Sequence, residues 1–322
     1  MGRFYDRLQA QWNQGKFVCV GLDPDITKIL PKGWIGDREY PGDRKVLYSH
    51  LVSVIDATHD IVAAYKPNWA FFLHYGSAGL EMLESLVAYI RYNYPDVVII
   101  LDAKAGDIGN TNIGYSQFAF GVLDVDAVTV HPYMGHVAMQ PFLDQADKGV
   151  IVLVRTSNEG AGELQDLVVD IGPERAHELG MLEWDNQPAG SDRGYYSSMA
   201  LFEVLATNIS TEWNYNGNCA VVVGATVPDE LKQVRALVGD DIPILIPGVG
   251  AQGGDLEQAV RNGKNLRGDG FVINVSRSVL YPKSPDGKAV VVNVAGAARA
   301  EVERMNSVIT RTLFVPPNGN DV

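Results

Sequence analysis

Eight apolar runs recur along the 322 residues, and charge or glycine begins where most of them stop. The run at 17–22 leads into Asp23-Pro24-Asp25, 61–65 into Lys66-Pro67-Asn68, and 97–101 into Asp102. The run at 127–130 leads into His131-Pro132-Tyr133, and 149–154 into Arg155-Thr156-Ser157. Three later runs, 219–223, 244–246 and 270–275, end in Gly224-Ala225-Thr226, Pro247-Gly248-Val249-Gly250 and Ser276-Arg277. Unalternating runs rich in β-branched residues fit strands covered on both faces. Between them the spacing predicts helices over about 44–59, 79–92, 111–122, 136–146, 195–208, 228–238 and 255–262, and a closing Ala-rich helix over 288–309. Strands alternating with helices imply parallel βαβ units, and eight of them predict a closed α/β fold, the (β/α)8 TIM barrel.

Such a barrel takes roughly 250 residues, and no linker or composition break marks a second domain. An amphipathic helix over 3–14 precedes it, with Phe4, Leu8 and Trp12 at spacings of four. Residues 31–43, rich in Gly, Pro and charge, read as a loop. A polar insertion over about 158–193 leaves the carboxyl end of strand five and is expected over or beside the catalytic face. Residues from about 313 to 322 read as a frayed tail.

The stretch 97–111, VVIILDAKAGDIGNT, carries the densest chemistry. Asp102, Lys104 and Asp107 lie within six positions, Gly106 and Gly109 bend the backbone, and Thr111 is placed to cap the next helix. On an extended segment Asp102 and Lys104 face the same side, with Asp107 in the turn beyond. Alone, that triplet reads equally as a structural ion pair. A barrel, however, brings Asp23, Lys66, Asp102, Lys104, Asp107, Ser157, Gln252 and Arg277 toward one mouth, where this fold places its chemistry. Lys66, Asp102, Lys104 and Asp107 alternate in sign, so carboxylates sit between cations and all stay charged. A magnesium site would favour clustered carboxylates without ammonium groups between them. The six histidines show no ligand spacing, and His131 reads as a packed or backbone-bonded residue.

Two later segments suit an anion. The loop IPGVGAQGG at 246–254 includes Gln252 and Gly253, and Asp255 then opens a helix; Ser276-Arg277 supplies a guanidinium. A glycine-rich loop can equally be a simple turn, but loops after strands seven and eight are the usual phosphate site of this barrel.

Charge narrows the partners. With 26 basic against 39 acidic residues the net charge is -13 and no Lys/Arg cluster interrupts it, which argues against nucleic acid and anionic membranes. Cys19 and Cys219 sit inside apolar runs and read as buried thiols in a reducing cytoplasm. The segment MGRFYDRLQAQW lacks a signal-peptide core, and no run approaches the ~20 apolar residues of a membrane span.

These motifs, DAKAGDIGNT, Lys66 in YKPNWAFF, Ser157 in RTSNEG, PGVGAQGGD and Arg277 in NVSRSV, closely resemble the orotidine 5'-phosphate decarboxylase family, in its longer bacterial-type branch. The resemblance runs from about 17 to 281. It implies conversion of orotidine 5'-monophosphate to UMP in pyrimidine synthesis, without metal or organic cofactor. It further implies that Lys104 protonates C6 of the pyrimidine, that Asp102 faces the departing carboxylate, and that Lys66 and Asp23 hold the network and the ribose hydroxyls. Ser157 would bond the base, while Gln252, Gly253, Ser276 and Arg277 would surround the phosphate. Asp107 and Thr111 would reach into a neighbouring subunit's site, so a homodimer is expected. Ser276 departs from the Gly found in many members, Glu159 stands where Pro is frequent, and the segment from about 170 to 196 has no counterpart. Two other readings stay open. One is a magnesium-dependent ketose-phosphate lyase or epimerase of a related barrel, against which Lys66 counts; the other is a nucleotide-binding barrel without catalysis.

Overall fold

The computed structural model describes residues 3–30, 41–181, 197–250, 252–283 and 293–314. Its strands in chain order are β1 (Val18–Leu22), β2 (Ala64–Pro67), β3 (Val98–Ala105), β4 (Ala127–Val130) and β5 (Gly149–Arg155), then β6 (Val168–Asp170), β7 (Ser198–Ala200), β8 (Cys219–Val223), β9 (Ile244–Pro247) and β10 (Phe271–Val275). Eight of these close a barrel in the order β1-β10-β9-β8-β5-β4-β3-β2, with every neighbouring pair parallel. The fold is the (β/α)8 barrel expected. Strands such as β4 and β8 are buried at every residue, because the barrel interior covers one face and the helical ring the other.

The helices are α1 (Arg3–Trp12), α2 (Pro41–Thr58), α3 (Trp69–Leu73), α4 (Gly76–Asn93), α5 (Gly109–Ser116), α6 (His136–Leu143), α7 (Gly162–Gln165), α8 (Pro173–Glu178), α9 (Leu201–Asn208), α10 (Pro228–Val238), α11 (Leu256–Gly263), α12 (Arg277–Leu280) and α13 (Val294–Phe314). Among the described residues no helix is long and apolar enough to cross a membrane. α1 closes the amino end of the barrel. Phe4 packs against Gly149 at the start of β5, leaving no room there for a Cβ, and Trp12 donates its indole N–H to Phe271 O at 2.9 Å. Each such buried aromatic contributes roughly 1.5–3 kcal/mol by leaving water.

Several expected boundaries move. The helix expected over 111–122 begins at Gly109 and gives way after Ser116 to a π-helical turn, Gln117–Val122. Ile108 occupies its N-cap without a side-chain bond, so Thr111 lies inside the first turn and caps nothing. The helix expected from 195 starts at Leu201, because 198–200 pairs antiparallel with β6 in a two-stranded sheet of the insertion. The closing helix runs on through Phe314, so 313 and 314 are helical; 315–322 lie outside the described residues, as do 31–40, 182–196 and 284–292.

Candidate active site

A cavity of about 670 Å³ opens at the carboxyl ends of the barrel strands, within the size range of small-molecule sites. Its floor is charged. Lys66, near the end of β2, places Nζ 2.5 Å from Asp102 Oδ2, and Lys104 places Nζ 2.6 Å from Asp102 Oδ1. Lys66 and Asp102 are only 5% and 8% exposed, whereas the Lys104 side chain is about half open to the cavity. Burial pulls Lys66 toward its neutral form, but the carboxylates of Asp102 and Asp23 outweigh it and hold its pKa above the usual lysine value. Burial likewise pushes Asp102 upward, yet Lys66 and Lys104 outweigh that and hold its carboxyl below the usual carboxylate range. Lys66 and Asp102 therefore both stay charged at neutral pH.

Backbone geometry sets this array. The β3–β4 register shifts between Leu101 and Ala105, pairing Leu101 with Val128 and Ala105 with Val130. Three β3 residues thus oppose Thr129 alone, and Lys104 takes φ +47 in the left-handed region. A non-glycine residue held there costs about 1–3 kcal/mol and persists only where its surroundings impose it. Asp102 and Lys104 meet through this bulge rather than through a regular two-residue repeat.

Of the residues expected at the mouth, Asp23, Lys66, Asp102, Lys104, Ser157, Gln252, Ser276 and Arg277 line this one cavity. Asp107, Thr111 and Gly253 do not. Asp107 lies in the turn after β3 and accepts the Ile108 N–H, while Thr111 is exposed on α5. Asp23 is raised above the usual carboxylate range, mainly by burial, with Lys66 and a Ser276 hydrogen bond acting against it. Its Oδ1 is buried with no hydrogen-bond partner among the described residues.

On the opposite wall Ser157 Oγ donates to Gln252 Oε1 at 2.8 Å. Gly224 and Gly248 permit that approach: a Cβ on Gly224 would sit 2.7 Å from Ser157 Cα, and one on Gly248 2.8 Å from Gln252 Oε1. The loop that follows is knitted by its own amides, with Gly253 N donating to Gly250 O and Gly254 N to Gly248 O. Gly253 therefore serves the turn. Asp255 caps α11 by accepting the Gln258 N–H, as the sequence suggests. His131 packs its ring on Gly106 and donates Nε2–H to Gly106 O, a backbone-bonded residue.

The cavity also takes residues that the sequence did not single out: Asn68, Thr129, Gln165, Asn274 and Tyr281. Thr129 and Asn274 are the polar members of otherwise apolar barrel strands, AVTV and FVINV, and that break in pattern was the available signal. Gln165 arrives from the insertion. Its Oε1 accepts the Thr156 N–H at 2.8 Å, and Arg155 grips Asp166 with two bonds of 2.6 and 2.9 Å, so the start of the insertion forms part of the wall beside Ser157. Tyr281 donates to Asp23 O and accepts the Asp25 N–H, tying the loop after β1 to the end of the barrel.

Known proteins resemble this chain over most of its length. A sequence model of the orotidine 5'-phosphate decarboxylase / HUMPS family matches residues 16–290. An orotidine 5'-phosphate decarboxylase of Janthinobacterium is 41% identical over 88% of this chain and 91% of its own. That of Ralstonia pickettii is 40% identical over 95% and 100%. The solved structure of Leishmania donovani OMP decarboxylase superposes with a TM-score of 0.70 at 30% identity, covering 96% of this chain and 99% of that one. With barrel, charged floor and matched length agreeing, the chain belongs to the orotidine 5'-phosphate decarboxylase family.

Proposed function

We propose that the protein decarboxylates orotidine 5'-monophosphate to UMP, with Lys104 as proton donor. The observation that carries this reading is the Lys66–Asp102–Lys104 array on the cavity floor, one ammonium buried and the other open to the substrate. In the reaction the C6–carboxylate bond breaks, its electron pair remains on C6, and CO2 departs. The Lys104 ammonium stabilises the developing charge and then gives C6 a proton, to be restored from water. At an effective dielectric near 20, one such contact at ~4 Å is worth about 4 kcal/mol, or roughly a thousandfold in rate. Asp102, facing the substrate carboxylate, is held ionised by its two lysines.

Asp23, with its unpartnered buried oxygen, fits a ribose hydroxyl, together with Lys66. Ser157 fits the base, and Gln252, Ser276 and Arg277 fit the phosphate, with Gly253 shaping the loop. Asp107 and Thr111 fit the site of a second copy. Neither lines its own cavity, and their neighbours Ile108 and Ile113 are exposed apolar residues at 59% and 46%. A homodimer covering that face is the oligomer this supports. Two free buried cysteines suit a reducing cytoplasm.

The test is direct. Purified protein in EDTA is given orotidine 5'-monophosphate, and loss of its absorbance is followed together with UMP formed. Stoichiometric UMP supports the reading; substrate that stays unchanged, or that turns over only after magnesium is returned, overturns it.

A further inference from the structure

Thr129 is a buried hydroxyl, 1% exposed, at the one point where β3 and β4 stop pairing regularly. Its Oγ1 lies 2.9 Å from the Lys104 backbone N and 3.0 Å from Asp102 Oδ1. The direction of both bonds is forced. A backbone N–H can only donate and an ionised carboxylate can only accept, so the hydroxyl takes the Lys104 N–H and gives its own hydrogen to Asp102. Because three β3 residues face this one β4 residue, the sheet ladder offers the Lys104 amide no regular partner, and the threonine oxygen replaces it. The same hydroxyl thus holds the backbone of the lysine in its left-handed conformation and fixes the carboxylate oxygen that the lysine Nζ touches at 2.6 Å.

We infer that Thr129 is a positioning residue for proton transfer: through its hydroxyl it sets where the Lys104 ammonium stands relative to Asp102, and hence to the substrate carbon. This rests on the reading of Lys104 as proton donor. It deepens that reading by naming a group that need not bind the substrate and acts through both charged residues. Valine is the same shape without the hydroxyl, and the site lies between Val128 and Val130 in a wholly buried strand. Thr129→Val therefore keeps the packing and removes only the two hydrogen bonds. Serine keeps the hydroxyl and loses a methyl.

Three proteins are compared, wild type, Thr129→Val and Thr129→Ser, for kcat, KM and UMP affinity. Thr129→Val is expected to lower kcat roughly 10- to 100-fold, the scale of a reacting group misplaced by about 1 Å, while KM and UMP affinity stay within about threefold. Thr129→Ser is expected to recover most of kcat. A kcat for Thr129→Val within about twofold of wild type overturns the inference. So does a serine variant as slow as the valine one, which would assign the effect to packing, or a loss carried by KM and UMP affinity, which would mean a site disturbed as a whole. A crystal structure of Thr129→Val decides the positional part without reference to turnover: a Lys104 Nζ withdrawn from Asp102 supports it, and an unmoved Lys104 overturns it. A wild-type protein that leaves orotidine 5'-monophosphate untouched would instead overturn the decarboxylase reading, and the crystal structure would still judge Thr129.

Discussion

Lys66 and Asp102, 36 positions apart on adjacent strands, meet at 2.5 Å in the floor of the cavity with almost no solvent on either. The pairing fixes how the floor responds to pH. Asp102 is held below its usual range when folded, so its contribution to stability is complete above the unfolded carboxylate value and is lost as pH falls through the folded one. Lys66 is held above its usual value, so its contribution is complete below the unfolded lysine value and is lost as pH rises through the folded one.

A thermal comparison of Asp23→Asn with the triple variant Asp23→Asn/Lys66→Met/Asp102→Asn checks this, since Asp23, whose ionisation Lys66 favours, then titrates in neither. The Tm of Asp23→Asn relative to the triple variant's is expected to stay level between about pH 5 and 9 and to drop as pH falls below about 4. A relative Tm that slopes steadily across the neutral range would mean that the pair is not ionised on both sides.

How far this array was legible depends on what the barrel had to bury. β4 and β8 fall on the bounds expected from AVTV and CAVVV, because an unbroken β-branched run buried on both faces has no other comfortable place. Lys66 was expected just after its strand and lies within it, since charge was taken to end a strand, whereas in this barrel the charged residue points into the cavity from the last paired positions. The bulge at Lys104 was invisible, because a left-handed lysine leaves no mark in composition or period. Thr129 broke its strand's apolar pattern by a hydroxyl alone, a weak mark because threonine is also β-branched and at home in a strand. The small sheet of the insertion escaped because its short apolar run, Leu167-Val168-Val169, lies inside an otherwise polar segment and is largely exposed.

The two ends of the barrel separate stability from catalysis. Phe4 is buried in α1 at the amino end, against the start of β5 and far from the cavity lining. Phe4→Ala is expected to destabilise the protein by about 3–5 kcal/mol, seen as a lower midpoint in denaturant, while kcat and KM below the transition stay at wild-type values. A variant of full stability, or one folded but slow, would contradict the role assigned to α1.

Asp107 tests the second copy. If it serves the neighbouring subunit, Asp107→Ala and Lys104→Ala are each inactive alone, yet a dimer containing one of each has one intact site. Unfolding and refolding an equal mixture is expected to restore roughly a quarter of wild-type activity, since half the dimers are hybrids and half their sites are whole. A mixture as inactive as its components would place Asp107 in its own chain's site or outside the chemistry.

Lys104 carries the chemistry proposed for the cavity. Its ammonium is the open member of the charged floor, and losing both its electrostatic contact and its proton costs a factor of roughly a thousand or more in rate. The decisive measurement is turnover of orotidine 5'-monophosphate by Lys104→Ala beside its titration with UMP. Lys104→Ala is expected to fold, bind UMP and form no measurable product; decarboxylation by this variant at the wild-type rate would contradict Lys104 as the proton donor.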